Sequence, residues 1–451
     1  MVSPNVVAIS LFTDAGQANL PEACDLVCTG GFSRLGCGAG RYIRDAAVDA
    51  SYLAAHPRTA FVDSSGRGFR LMAREVDVRQ VGAIGDGYSD DTAAIQEALD
   101  IVEAAGGGTV MLSPGDYKTT APITLPPRAS IRGAGPASIL QVTSCDALII
   151  SASDGIGPRL IADFMIRGQK CENFTAIVTN IIDEQRVQGV VFERIYIAFF
   201  GIGVRSRGLW HSTFRTITMN QVWVGFTFSG RNIKITIDDC RLTHGGSLKG
   251  LGDPVGIRVG DETPSARPED IQIDKSIIYG FKKAIVWRTA LFGGVTNCDL
   301  DACTLTGLEL ITADGGFTFV NNWIQVDGDS ACGVMCVALG YNPNLTNIRI
   351  ANNYISIPSL NAKSCGIKIG NQQSDLLVDN NTVSGPWQIG IHADGVRRLS
   401  LLNNKVEQDI FLERCVDLSV ARNFALKGVK LRDNVRLETG SMASADRAER
   451  D

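Results

Sequence analysis

Gly201-Ile202-Gly203-Val204, Gly225-Phe226-Thr227-Phe228 and Gly256-Ile257-Arg258-Val259 share one pattern: a small residue, an apolar one, any residue, another apolar one. The pattern returns as Ala284-Ile285-Val286-Trp287, Gly307-Leu308-Glu309-Leu310 and Gly333-Val334-Met335-Cys336. It closes with Gly366-Ile367-Lys368-Ile369, Gly390-Ile391-His392-Ala393, Asp409-Ile410-Phe411-Leu412 and Gly428-Val429-Lys430-Leu431. Successive starts lie 24, 31, 28, 23, 26, 33, 24, 19 and 19 residues apart by subtraction. A drifting period with a constant strand and elastic loops predicts an all-β parallel solenoid, one supersecondary unit per turn. Equivalent residues of successive coils then stack about 4.8 Å apart.

The totals fit. A chain of 451 residues with 45% hydrophobic content supports a long core. A net charge of −5 and a pI near 5.6 give no reason to expect a nucleic-acid or anionic-membrane partner. No apolar run approaches the roughly 18–20 residues of a spanning helix. Met1 to Leu11 lacks a basic segment and a clear cleavage site, so no secretory signal is read, and localisation stays open between a virion and another secretion route. Of twelve cysteines, Cys240, Cys303, Cys336 and Cys415 fall at repeat positions that point inward, where thiols pack as small hydrophobes. Cys24, Cys28 and Cys37 have loose spacing and no histidine partner, so no metal and no cofactor are expected.

Residues 1–74 carry no repeat and read as a small N-terminal cap or attachment module. Residues 75–135 hold a helix near Thr92–Ala105, capped by Asp90 or Asp91, with Ile95, Leu99 and Val102 on one face. Such a helix would plug the open end of the solenoid, which extends over 136–435. Residues 436–451 read as a frayed helix or disorder. Asn321-Asn322, Asn352-Asn353, Asn380-Asn381 and Asn403-Asn404 mark a corner where stacked asparagines bond from coil to coil and adopt left-handed geometry.

The segment Val81-Gly82-Ala83-Ile84-Gly85-Asp86-Gly87-Tyr88-Ser89-Asp90-Asp91-Thr92, with Gly107-Gly108-Thr109-Val110 and Pro114-Gly115-Asp116-Tyr117, resembles the opening of the pectate-lyase-like proteins. Arg41-Tyr42-Ile43-Arg44-Asp45 through Phe69-Arg70-Leu71 resembles the N-terminal segment of prophage-type members. The resemblance implies a single-stranded right-handed parallel β-helix and a polysaccharide or oligosaccharide partner. Tailspike depolymerases, polygalacturonases, alginate epimerases and fructan-processing transferases share this fold. The tailspikes and transferases imply a homotrimer. Asp90 and Asp91 are structural in this reading.

Chemistry is sought in stacked carboxylates. The position before the asparagine corner is assigned Glu193, Arg215, Asp238, Asp274 and Asp301 in consecutive coils. Such a column suits a glycosidase pair, or else a solvated acidic corner relieved by Arg215 and Lys275. The coil around 232–275 carries two insertions and gathers Asp238, Asp239, His244, Lys249, Asp253, Arg258, Asp261 and Glu262. Asp238-Asp239-Cys240 and His244-Gly245 resemble polygalacturonase steps, but the Arg-Ile-Lys and Asn-Thr-Asp signatures are missing. The outward strand position is assigned Gly203, Thr227, Arg258, Val286, Glu309, Met335, Lys368 and His392. There Glu309 is an acid candidate between apolar neighbours, unless the face is an ordinary salt-bridged surface. His211 and His392 read as structural. Trp287 reads as core, while Trp210, Trp223, Trp323 and Trp387 are candidate sugar platforms. The expected catalytic set is Asp238, Asp239, Asp274, Asp301 and Glu309. The expected substrate contacts are Arg258, His244, Lys249, Lys368, Trp210 and Trp323. Glycoside hydrolysis is favoured over a lyase because no strongly basic groove is legible. An intramolecular fructosyl transferase and a non-catalytic carbohydrate-binding spike are the alternatives.

Overall fold

The computed structural model describes residues 5–153, 158–180, 186–245, 252–261, 267–311, 314–337, 346–359, 363–370, 373–439 and 449–450. The chain divides into two compact units, Met1–Ile197 and Ala198–Asp451. Strands dominate, and the fold is a right-handed parallel β-helix.

The first unit opens with a five-stranded sheet in the order Val6–Ile9, Leu26–Thr29, Arg41–Arg44, Gly68–Leu71 and Ala60–Val62. The first pair is parallel and the others are antiparallel. Its core is aromatic. Phe12 stacks on Phe32 and Tyr42, and Phe61 stacks on Phe69. The helix follows as Thr92–Ala104, with Ile95, Leu99 and Val102 fully buried. Asp90 Oδ1 accepts from the Thr92 amide at 3.0 Å. Asp91 instead accepts from the amides of Ile84 and Gly85, pinning the preceding loop. Both acids therefore have structural partners. The helix packs against strands Glu75–Asp77, Gly108–Leu112 and Ile123–Leu125, the first turns of the coil.

The second unit winds three parallel sheets. Sheet A holds the repeated motif, in strands such as Val255–Val259, Lys283–Arg288, Thr306–Ile311, Cys332–Val337 and Cys365–Gly370. Sheet B includes Ile233–Asp238, Glu269–Asp274, Leu291–Thr296 and Ser374–Asp379. Sheet C is made of short strands such as Arg241–His244, Ile277–Tyr279, Asp299–Cys303, Trp323–Val326 and Tyr354–Ser356.

The motif's small residue has a steric cause. A Cβ on Gly333 would lie 2.3 Å from Ile355 Cγ2 and 2.7 Å from the Gly366 carbonyl oxygen. Gly225, Gly256, Gly307 and Gly366 meet the same two obstacles, a branched side chain of sheet C and the backbone of the next coil. This contact also corrects the register of the first repeat. The Gly203 position meets Met219 and the Gly225 carbonyl, so Gly203 is the equivalent of Gly225. Val204 and Ser206 then point inward, and Arg205 replaces Gly203 in the outward column. Two glycines spaced by two residues had left a period-2 pattern free to slip.

The asparagine corner stands as two ladders. Asn322, Asn353, Asn381, Asn404 and Asn423 are buried. Each Oδ1 from Asn353 onward accepts from both the backbone and the side-chain nitrogen of the preceding member, at 2.9–3.1 Å. One residue earlier, Asn321, Asn352, Asn380 and Asn403 take positive φ of 52–59°. Cys240, Cys303, Cys336 and Cys415 are all buried. Trp287 is fully buried, as its inward motif position requires. The tail expected to be a frayed helix or disorder is strand where it is described, at Val435–Thr439 and Glu449–Arg450, each paired parallel with an earlier coil; its other residues lie outside the described ones.

Candidate functional site

The expected acidic column is only partly real. Arg215, Asp238 and Asp274 are in register on adjacent strands of sheet B. The next coil supplies Thr296, not Asp301. Asp301 pairs in register with Tyr279 and belongs to sheet C. The spacing argument failed because the coils differ in length: the true step from Asp274 to Thr296 is 22 residues, whereas stacking Asp301 on Asp274 assumed 27.

The sheet B acids are engaged. Asp238 lies 3.7 Å from Arg215 Nε and 3.6 Å from Lys275 Nζ. Asp274 takes Lys275 Nζ at 2.9 Å, Thr296 Oγ1 at 2.8 Å and Asn297 Nδ2 at 2.7 Å. Burial opposes ionisation of Asp274, but these donors outweigh it and hold the carboxyl below its usual range. Asp239 is exposed at the left-handed corner and accepts from Thr216 Oγ1. The corner geometry, with Cys240 buried just after it, accounts for the Asp-Asp-Cys step without any reaction.

The outward column of sheet A is confirmed from Thr227 through Arg258, Val286, Glu309, Met335, Lys368 and His392. Glu309 is 3% exposed there and bound to Lys283 Nζ at 2.7 Å, with Thr306 Oγ1 at 3.2 Å. Its setting is therefore ionic rather than apolar. A cavity of about 320 Å³ lies over Val286, walled by Arg258, Lys283, Arg288, Asp253 and Asp261. Gly260, at φ +86°, closes this wall, because a Cβ there would lie 1.5 Å from the Arg288 carbonyl oxygen. Lys282 beside Asp253 holds that carboxyl below its ordinary range. Lys368 is exposed, and His392 meets Glu413 at 3.2 Å and stacks on Phe411. His244 is wedged between Trp223 and Phe281, with Nδ1 3.1 Å from the Val222 carbonyl. Trp210 donates to the Arg231 carbonyl, and the Arg231 guanidinium lies 5.8 Å over its ring. Lys249 and Glu262 lie outside the described residues.

Sheet C brings together what the sequence reading left apart. Asp299 and Asp301 are two residues apart on one strand, so both project from its outer face while Leu300 is buried between them. Each has a buried Oδ1 with no hydrogen-bond partner among the described residues. Burial raises the Asp299 carboxyl above its usual range, and the Asp301 charge adds to the rise. Asp299 is in register with Ile277 on one side and Trp323 on the other, and Trp323 with Tyr354. Tyr279 is beside Asp301. Ala302 follows at φ +53°, a left-handed bend where the ladder to the next strand shifts register. The strand then turns through Thr304 and Leu305 into Thr306–Ile311, which places Asp301 and Glu309 on either side of one corner. The sequence reading found Asp301 and Trp323 but missed Asp299, Tyr279 and Tyr354. The alternation Asp299-Leu300-Asp301 was the available signal.

Residues 75–195 match the family model of rhamnogalacturonase A/epimerase, pectate lyase-like. The tail spike protein of Shigella phage Sf6 is 29% identical over 273 residues, covering 56% of this chain and 43% of that protein. A mannuronan C5-epimerase of Azotobacter vinelandii is 55% identical over 47 residues, 10% of this chain and 5% of that protein. The chain thus spans less than half the length of these curated relatives. Among solved structures, the tailspike of E. coli bacteriophage HK620 superposes with a TM-score of 0.52 at 9% identity, covering 86% of this chain and 83% of that one. An Acinetobacter phage tailspike gives 0.51 at 13% identity over 90% and 67%. At such identities these superpositions speak for the fold alone.

Proposed function

We propose that this chain, which resembles the pectate-lyase-like parallel β-helix proteins over residues 75–195, hydrolyses a glycosidic bond of a polysaccharide with Asp299 and Asp301. The observation that carries this reading is the pair itself: two outward carboxyls whose buried oxygens lack partners among the described residues, one of them raised. Asp299, which holds its proton to higher pH, donates it to the glycosidic oxygen as the bond to the anomeric carbon breaks. Asp301 takes a proton from the water that attacks that carbon. A strand rise of about 3.3 Å puts the two Cα atoms about 6.6 Å apart. The tail spike and epimerase relatives support a polysaccharide as the partner. Asp238, Asp239 and Asp274 are proposed as corner residues, and Arg258, Lys368 and Trp323 as substrate contacts.

A second reading has its own observation. Arg258, Lys283 and Arg288 around the sheet A cavity suit a carboxylated sugar, and neutralising that carboxylate would serve a lyase. Mass spectrometry of products from a panel of bacterial and plant polysaccharides separates the two. Oligomers with an added water support hydrolysis, unsaturated ends support the lyase, and anhydro-sugars support the transferase. No product from any polymer supports the binding spike. A homotrimer is proposed from the tail spike resemblance. Light scattering at three times the 48.3 kDa chain mass would agree, and a monomer would refute it.

A further inference from the structure

We propose that Cys332 and Cys365 are an oxidation site, at which a low-molecular-weight disulfide converts two free thiols into a covalent clasp around one complete coil of the solenoid. The two residues are direct register partners at the start of the adjacent sheet A strands Cys332–Val337 and Cys365–Gly370. Their Cα atoms therefore lie about 4.8 Å apart, inside the roughly 4.4–6.8 Å that a disulfide spans. Both side chains take the same direction. The Cys332 thiol donates to the Val334 carbonyl at 3.3 Å, and the Cys365 thiol to the Ile367 carbonyl at 3.2 Å. The two sulfurs thus stack from coil to coil, within hydrogen-bonding contact of each other.

No other cysteine has a cysteine as register partner among the described residues: Cys28 faces Arg41, Cys303 faces Val326, and Cys336 faces Leu310 and Ile369. Cys240, Cys298 and Cys415 rest on backbone carbonyls. The Cys171 thiol is likewise turned to the carbonyls of Val142, Cys145 and Gln169. Between Cys332 and Cys365 the chain makes one turn, through Thr346–Ala351 of sheet B and Tyr354–Ser356 of sheet C. A bond between the two sulfurs closes that turn on itself and restricts the unfolded chain.

Cys365, deprotonated, attacks one sulfur of the reagent and expels the other half as a thiolate, leaving a mixed disulfide. Cys332 then loses its proton and attacks the Cys365 sulfur, expelling the second small thiolate. Two electrons pass to the reagent, and the two protons end on the released thiols. In the closed coil, the neighbouring Cys365 thiol and burial push the Cys332 thiol well above its ordinary value, and the two residues are only 5% and 8% exposed. The closed coil therefore resists exchange, and the link forms while the coil is open, during folding or local unwinding.

The test refolds the full chain from urea in reduced and oxidised glutathione and blocks the remaining thiols with N-ethylmaleimide. Digestion with trypsin and an aspartate-directed protease, followed by tandem mass spectrometry, then locates the links. Cys332 joined to Cys365 is expected at about ten times the yield found in chain held in urea with the same reagents, because folding raises the effective concentration of one thiol at the other. A yield no higher than in urea overturns the proposal, as does a predominant link from either residue to any other cysteine. The linked chain should also unfold in urea about tenfold or more slower than chain refolded with dithiothreitol. That difference should vanish in Cys332→Ala and in Cys365→Ala. An unchanged unfolding rate in the linked chain overturns the clasp, and a redox difference that survives in both variants assigns it to other thiols and overturns it too. If neither variant folds, the comparison of linked and reduced parent chain still decides.

Discussion

Asp299 sits in direct register with Trp323 on the following coil, and its carboxyl is pushed upward by burial and by the charge of Asp301. In the reading proposed above, that raised carboxyl is the proton donor. The same acid carries a cost when ionised.

Replacement of either carboxyl is expected to lower turnover by about 10²–10⁴-fold, the usual contribution of one positioned acid or base. Asp274→Asn and Asp238→Asn should stay within about threefold of the parent. Initial rates on whichever polymer gives products would check this. Full activity of Asp299→Asn would remove the pair from the mechanism.

Stability should respond to pH with opposite signs at two aspartates. Asp299 is raised in the folded state, so its contribution is fully present below the ordinary carboxylate value and is lost as pH rises through the raised value. Asp299→Asn should therefore raise the melting temperature at pH 7 and leave it unchanged at strongly acid pH. Asp274 is lowered, so its contribution is present above the ordinary value and is lost as pH falls through the lowered one. Asp274→Asn should lower the melting temperature at pH 7 by the modest amount of a half-exposed pair, up to about 1 kcal/mol. Thermal melts at both pH values distinguish the two.

Glu309→Ala should destabilise by about 1–3 kcal/mol, because it removes the carboxylate 2.7 Å from the little-exposed Lys283 and leaves it only the weaker interaction with Asp253 across the cavity. The double variant with Lys283→Met should recover part of that loss. Denaturant unfolding of the three proteins is the measurement. An additive double variant would show that the pair is not coupled.

Gly333→Val should cost on the order of 2 kcal/mol or more, since its Cβ would meet Ile355 and the Gly366 carbonyl well inside contact distance. Asn353→Ala should cost about 2–3 kcal/mol by leaving buried groups of Asn322 and Phe319 unsatisfied. Wild-type denaturation midpoints for both variants would show that the coil tolerates what its geometry forbids.

The sequence alone determined the coil. Gly225, Gly256, Gly307 and Gly333 recur because a side chain at these positions would meet sheet C and the backbone of the next coil, a constraint written in most turns, with Ala284 and Asp409 in the same motif position of two others. Asn322, Asn353 and Asn381 recur because a buried amide must be satisfied by its equivalent one coil away. The outward run from Thr227 to His392 was legible for the same reason. Only the tertiary structure decided which carboxylates meet. Asp301 was stacked by sequence on Asp274, but the strand that follows Asp274 ends in Thr296, and Asp301 stands next to Asp299 on another sheet. Loops of unequal length carry no record of register. The inter-strand hydrogen bonds that fix the register, and the burial that raises Asp299, exist only once the coils have closed on one another.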